Sequence, residues 1–98
     1  MLTKKERRAL LRARDLIAND KEHMICLALV AVAQADPALD RAAYRLRVYI
    51  SDALGDFTTL GGWQYFHGIH RSEAQRRADR LAWIDWMLAE GKDERPAA

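Results

Sequence analysis

Residues 73–90, EAQRRADRLAWIDWMLAE, hold two of the chain's three tryptophans, and their reading decides the fold. Stepped at about 100° per residue from Leu81, the residues Leu88, Ile84, Ala74, Ala78, Ala89 and Ala82 share one broad sector. Trp83 and Met87 extend it on one side and Trp86 on the other. A surface helix needs an apolar stripe only a little over ~100° wide. The excess predicts a helix that is central to a bundle or that offers a second face to a partner. Asp85 falls among the alanines of this sector and is expected to be a buried polar residue. A carboxylate there must be paired, hydrogen-bonded or protonated, because stranding even a neutral polar group costs on the order of 1–3 kcal/mol.

The remaining segments also read as helices. Ser72 with Gln75 is a capping box that opens the 73–90 helix, and Gly91 is expected to close it. At the other end of the chain, Thr3 and Glu6 form the same box. Behind them Leu10, Ala13, Leu16 and Ile17, with Ala9, cover an arc of about 120°, which predicts a helix over 4–18. Residues 21–35 lack alternation and lack a polar face through their middle, a pattern shared by buried strands and buried helices. Length, alanine and leucine content and the absence of a second strand candidate favour a helix, expected deepest in the core. Asp36–Pro37 is a further start signal, and Leu39, Ala43, Leu46, Ile50 and Leu54 then form one stripe, predicting a helix over 37–54 that Gly55 stops.

The expected fold is therefore all-α, a four-helix bundle-like single domain over residues 1–91, followed by a flexible polar tail, 92–98. A short aromatic helix or turn around Trp63, Tyr65 and Phe66 is expected before the last helix, although the adjacent Gly61 and Gly62 weaken it. Ninety-eight residues allow one modest core. Half are hydrophobic and 31% charged, the balance of a globular chain rather than a disordered one. The longest apolar run, Met24 to Ala33, is too short to span a bilayer, so no membrane role is expected. A single cysteine, Cys26, excludes an intrachain disulfide. With no signal-peptide context, these features point to a cytoplasmic protein.

Net charge is only +2, which argues against phosphate neutralisation as the main business of the chain. The basic excess belongs to the first helix, where Lys4, Lys5, Arg7, Arg8, Arg12 and Arg14 are the candidate nucleic-acid contacts, with no base-reading signature beside them. A second basic group, Arg71, Arg76, Arg77 and Arg80, is diluted by intervening acids. His23, Cys26, His67 and His70 are numerically a zinc set. Their spacing is loose, however, and a cysteine that opens an apolar run behaves as a small hydrophobe, so neither metal nor cofactor is expected. Ser51, Ser72, Cys26 and the carboxylates show no nucleophile–base–orienter spacing, and Gly61–Gly62 lacks the phosphate-loop lysine. No enzymatic activity and no small-molecule substrate are expected, since a four-helix core of this volume is mostly filled.

The aromatic residues are the more informative signal. Trp83 and Trp86 lie about 60° apart on the side of their helix remote from Leu81, so at least one is expected to stay partly exposed. With Met87, Trp63, Tyr65 and Phe66 they form the candidate partner-binding set, of the composition found in contact hot spots. The partner is either a second copy or another protein.

ICLAL at 25–29, the TL-x-x-W of Thr59 to Trp63 and RLAWIDWMLAE at 80–90 resemble elements of small uncharacterised proteins encoded by bacteriophages and prophages. The resemblance spans most of the chain and carries no catalytic or binding residue across. It implies a small accessory phage protein, in a class whose members frequently act by binding a host protein. The sequence departs from that pattern at Gly61 and Gly62, within the short aromatic segment.

Overall fold

The computed structural model describes residues 1–54, 72–92 and 96, with the side chains of 53 and 54 excepted. Among these residues there are four α-helices and no strands: α1 (Lys4–Ala18), α2 (Ile25–Ala35), α3 (Asp40–Leu54) and α4 (Glu73–Leu88). A 3-10 turn, Pro37–Leu39, leads directly into α3. The protein is an all-α helical domain, as its periodicity predicts. The aromatic segment with Trp63, Tyr65 and Phe66, and most of the 92–98 tail, lie outside the described residues.

Each start signal works as its chemistry requires. Thr3 Oγ1 accepts the Glu6 N–H at 3.0 Å while Glu6 Oε1 accepts the Thr3 N–H at 2.9 Å. Ser72 and Gln75 repeat the exchange at 3.2 and 2.9 Å. Asp36 Oδ1 takes the Ala38 N–H at 3.2 Å, with Pro37 in the first position of the turn.

The helix ends are less ordinary. After α1, the Asp20 N–H donates to Ile17 O at 3.1 Å and the Lys21 N–H to Leu16 O at 2.8 Å. After α4, the Glu90 N–H donates to Met87 O at 2.9 Å and the Gly91 N–H to Trp86 O at 3.2 Å. Both are Schellman turns. Their left-handed residues are acids, Asp20 at φ 58° and Glu90 at φ 56°, where glycine is usual. Gly91 follows one position later at φ 73°. The turn at Asp20 is also why residues 21–24 are not helical, contrary to the expected start at 21. The chain folds back on Leu16 O, and α2 begins only at Ile25. For the same reason α4 ends at Leu88, two residues short of expectation.

The core draws on every helix. Leu10, Ile17, Ile25, Leu29, Leu39, Ile50 and Ile84 are its largest fully enclosed side chains. Each contributes roughly 1.5–3 kcal/mol of apolar burial. The most central helix is α1 rather than the apolar 21–35 segment, for α1 packs against α2, α3 and α4, whereas α2 packs mainly against α1 and α3.

An acid at the carboxyl end of a helix opposes the helix dipole, and the left-handed region costs a residue bearing Cβ about 1 kcal/mol or more. Replacing Asp20 by glycine removes both penalties and sacrifices exposed contacts to Arg77 and His23, the ion pair to Arg77 being worth at most about 1 kcal/mol. Asp20→Gly is therefore expected to raise the thermal midpoint by a few degrees. Glu90→Gly loses two partners, Leu2 N–H and Arg7, and is expected to lower it. Calorimetry of the two variants beside the wild type checks the contrast.

Candidate functional site

The basic residues of α1 separate according to what they touch. Arg7 donates to Leu88 O at 3.0 Å and lies 3.6 Å from Glu90. Arg14 grips Asp85 with two bonds, 2.7 and 3.1 Å, and Arg12 meets Asp36 at 2.6 Å. These three arginines tie α1 to other elements. Of the expected patch, Lys4, Lys5 and Arg8 are exposed, and Arg8 also adds to the positive charge that acts on Asp36, so the six do not form one phosphate-facing surface.

The aromatic face of α4 also divides. Trp83 and Met87 are core residues, 3% and 4% exposed, which removes both from the expected contact set. Trp86 is partly buried, its ring edge-on to Trp83 at 5.7 Å between centroids and 76° between planes. Asp85 corrects a further expectation: its side chain is 52% exposed, paired with Arg14 rather than enclosed. The reason is that alanine reports little about burial. Ala74, Ala78 and Ala82, which placed Asp85 inside an apolar sector, are themselves exposed. The inward face of α4 is set by Trp83, Ile84 and Met87.

Beside Trp86 a groove of about 270 Å³ runs between the amino end of α1, α3 and the carboxyl end of α4, walled by Leu2, Leu46, Tyr49, Trp86 and Met87. Its acids, Glu6 and Glu90, are engaged: Glu6 lies 3.7 Å from Arg45, and Glu90 accepts the Leu2 N–H at 2.6 Å. Gly91 closes against it, where an added Cβ would stand 3.5 Å from the Trp86 ring.

The surface that sequence reading passed over is the outer side of α3. Leu39, Ala43, Leu46 and Ile50 face the core, while Tyr44 is 62% and Val48 40% exposed, with Arg41, Arg45 and Asp52 also exposed around them. At helical spacing Tyr44 and Val48 lie about 160° from Leu46 on either side, directly opposite the core stripe. That position was available as a signal. A second groove, about 320 Å³, separates this ridge from α2 and is lined by Tyr44, Arg47, Gln34 and Asp40. Arg47 Nε is buried there with no hydrogen-bond partner among the described residues.

His23 is exposed near Asp20, at 3.7 Å, and Cys26 is buried in the core. Among the described residues no three histidines, cysteines or carboxylates converge as a metal set; His67 and His70 lie outside those residues. No described helix is long and apolar enough to cross a membrane.

Comparison with protein-family models, curated proteins and solved structures returns no match. The surfaces themselves are the evidence for function.

Glu90 gives the clamp between α1 and α4 a pH dependence. The Leu2 N–H above all holds its carboxyl below the ordinary glutamate value of 4.5; burial opposes it, and the Arg7 guanidinium adds a smaller lowering. Because the folded value is depressed, the contribution to stability is complete above the ordinary value and is lost as pH falls through the lowered one. Urea unfolding at a series of pH values is expected to show the wild type losing stability below about pH 4.5, with a shallower loss in Glu90→Gln.

Proposed function

We propose that this chain works by protein–protein contact rather than by catalysis, and that its partner is a second copy meeting it through the outer side of α3. The supporting observation is the arrangement Arg41, Tyr44, Arg45, Val48, Asp52 on one exposed face. Tyrosine and arginine are the residues that dominate contact energies, and an exposed aromatic–aliphatic pair four residues apart offers a continuous apolar ridge. The charges select the occupant. Arg41 and Arg45 precede Val48, and Asp52 follows it by one turn. An antiparallel two-fold pairing centred on Val48 places the cations of each copy beside the Asp52 carboxylate of the other.

The hollows on either side of the ridge suit such packing, since ridges of one helix seat in the grooves of another. The resemblance to small phage proteins that act by contact points in the same direction. This reading moves the contact surface from the last helix to the third, because Trp83 and Met87 are consumed by the core.

Sedimentation of the wild type at micromolar concentration is expected to give a dimer. Val48→Glu brings two carboxylates together at the axis and is expected to give a monomer with unchanged helical circular dichroism. Arg41→Glu and Asp52→Arg should each weaken the dimer, and the double reversal should restore it. A wild type that stays monomeric at hundreds of micromolar, or a double reversal that fails to recover, overturns the assignment.

A further inference from the structure

The inward stripe of α4 carries an arginine where a core residue is due. Met87, Ile84 and Trp83 face the interior. Stepping back four residues from Ile84 reaches Arg80, and four more reaches Arg76, on the same side of the helix. Arg80 is partly buried, and burial is the main influence lowering its pKa, with Arg76 adding like-charge repulsion and Asp79 partly offsetting both. No carboxylate stands within ion-pair distance of Arg80 among the described residues. A guanidinium brought partly out of water without a carboxylate in direct contact is costly, and buried charges are ordinarily paired.

The surroundings of Arg80 supply space rather than a partner. A cleft of about 230 Å³ opens between α4 and the α1–α2 connection, with Ile17 behind it, Arg76, Arg77 and Arg80 along α4, and Glu22 and His23 opposite. Arg77 is already held by Asp20 at 3.1 Å, which also faces His23. Glu73 borders the far end, seven residues and about 10 Å of helix from Arg80. Neither Glu22 nor Glu73 is among the groups that act on the Arg80 guanidinium, so the Arg80 end of the cleft is left cationic. The first turn of α4 is not the site, because its capping box already occupies the Ser72 and Gln75 amides and Glu73 places a negative charge there.

We infer that the Arg80 end of this cleft is a binding site for an oxyanion, one that presents two oxygens to the fork of the Arg80 guanidinium, as phosphate and carboxylate groups do. Bidentate pairing of this kind is the strong form of charge-assisted hydrogen bond, and here it also removes an existing penalty. The site shares no residue with the α3 face and stands whether or not the chain self-associates.

The test is thermal unfolding of the whole chain in sodium phosphate, in sodium acetate and in sodium chloride at matched ionic strength, together with the phosphorus line width of inorganic phosphate on titration with protein. Phosphate is expected to raise the wild-type midpoint by roughly 4 °C or more over chloride. A rise of similar size in acetate would make the seated group a carboxylate, and a smaller one a phosphate. Arg80→Met is expected to abolish the excess and the line broadening, and to unfold in chloride at or above the wild-type midpoint, since it removes an uncompensated charge. Arg80→Lys keeps the charge without the fork and should retain only part of the shift. Overturning results are a midpoint that responds equally to phosphate and chloride, an excess that survives in Arg80→Met, or an Arg80→Met protein destabilised in chloride, which would make the side chain structural.

Discussion

Three charge pairs hold α1 and α4 side by side in opposite directions. Arg7 meets Glu90, Arg14 meets Asp85 and Asp20 meets Arg77. As residue numbers climb along α1 they fall in step along α4, so one end, the middle and the other end of the contact are all fixed. Solvent-exposed pairs of this kind contribute little net stability, with a median of about 0–1 kcal/mol. What they supply is register. Apolar side chains such as Leu10, Ile17, Ile84 and Met87 tolerate sliding by a turn better than an arginine fork tolerates the loss of its carboxylate. The burial that stabilises the domain therefore comes from the core, and the choice among packings comes from the charges.

The two end pairs explain the odd composition of the helix termini. An acid in a left-handed position at a helix carboxyl end is unfavourable on backbone and dipole grounds alike. Asp20 and Glu90 both sit there, and both face an arginine of the opposite helix. Local preference has been overridden by a tertiary contact, and the override occurs at each end of the same helix pair. Such conflicts are tolerated where the surrounding structure fixes the residue. Here that structure is α1 against α4, with Glu90 further held by the Leu2 amide.

This is also where the sequence stopped being legible. Helix starts are local events, a side chain reaching an amide three residues away, and Thr3–Glu6, Ser72–Gln75 and Asp36–Pro37 could all be read directly. The stripe Leu39, Ala43, Leu46, Ile50 was likewise legible, because a single face repeats at helical spacing. Glycine would have announced the end of α1, but Asp20 conceals it, and the residues after it read as more helix. Alanine misled in another way. Because it is accepted on either side of a helix, Ala74, Ala78 and Ala82 widened the apparent apolar face of α4 and drew Asp85 into it. With the alanines set aside, Trp83, Ile84 and Met87 define a narrower inward face about 100° from the one centred on Leu81. The surplus of apolar surface that pointed to a docking role for the last helix was largely an alanine count.

Moving that face also changes what the charged residues mean. A basic first helix suggests a phosphate-binding surface only while its side chains are presumed to point at solvent. Once Arg7, Arg12 and Arg14 are found bridging to Glu90, Asp36 and Asp85, they belong to the fold, and the informative arginines become those with no ion pair among the described residues. Arg80 is one, inward-facing on α4. Arg41 is another, outward-facing on α3 beside Tyr44. One sits at the end of a polar cleft and the other on an apolar ridge, surroundings that suit a small oxyanion and a protein surface respectively. The cleft is built from α4 and the α1–α2 connection, and the ridge from α3 alone. A second copy seated on α3 therefore makes no demand on the residues of the cleft, and the same small domain has room for both.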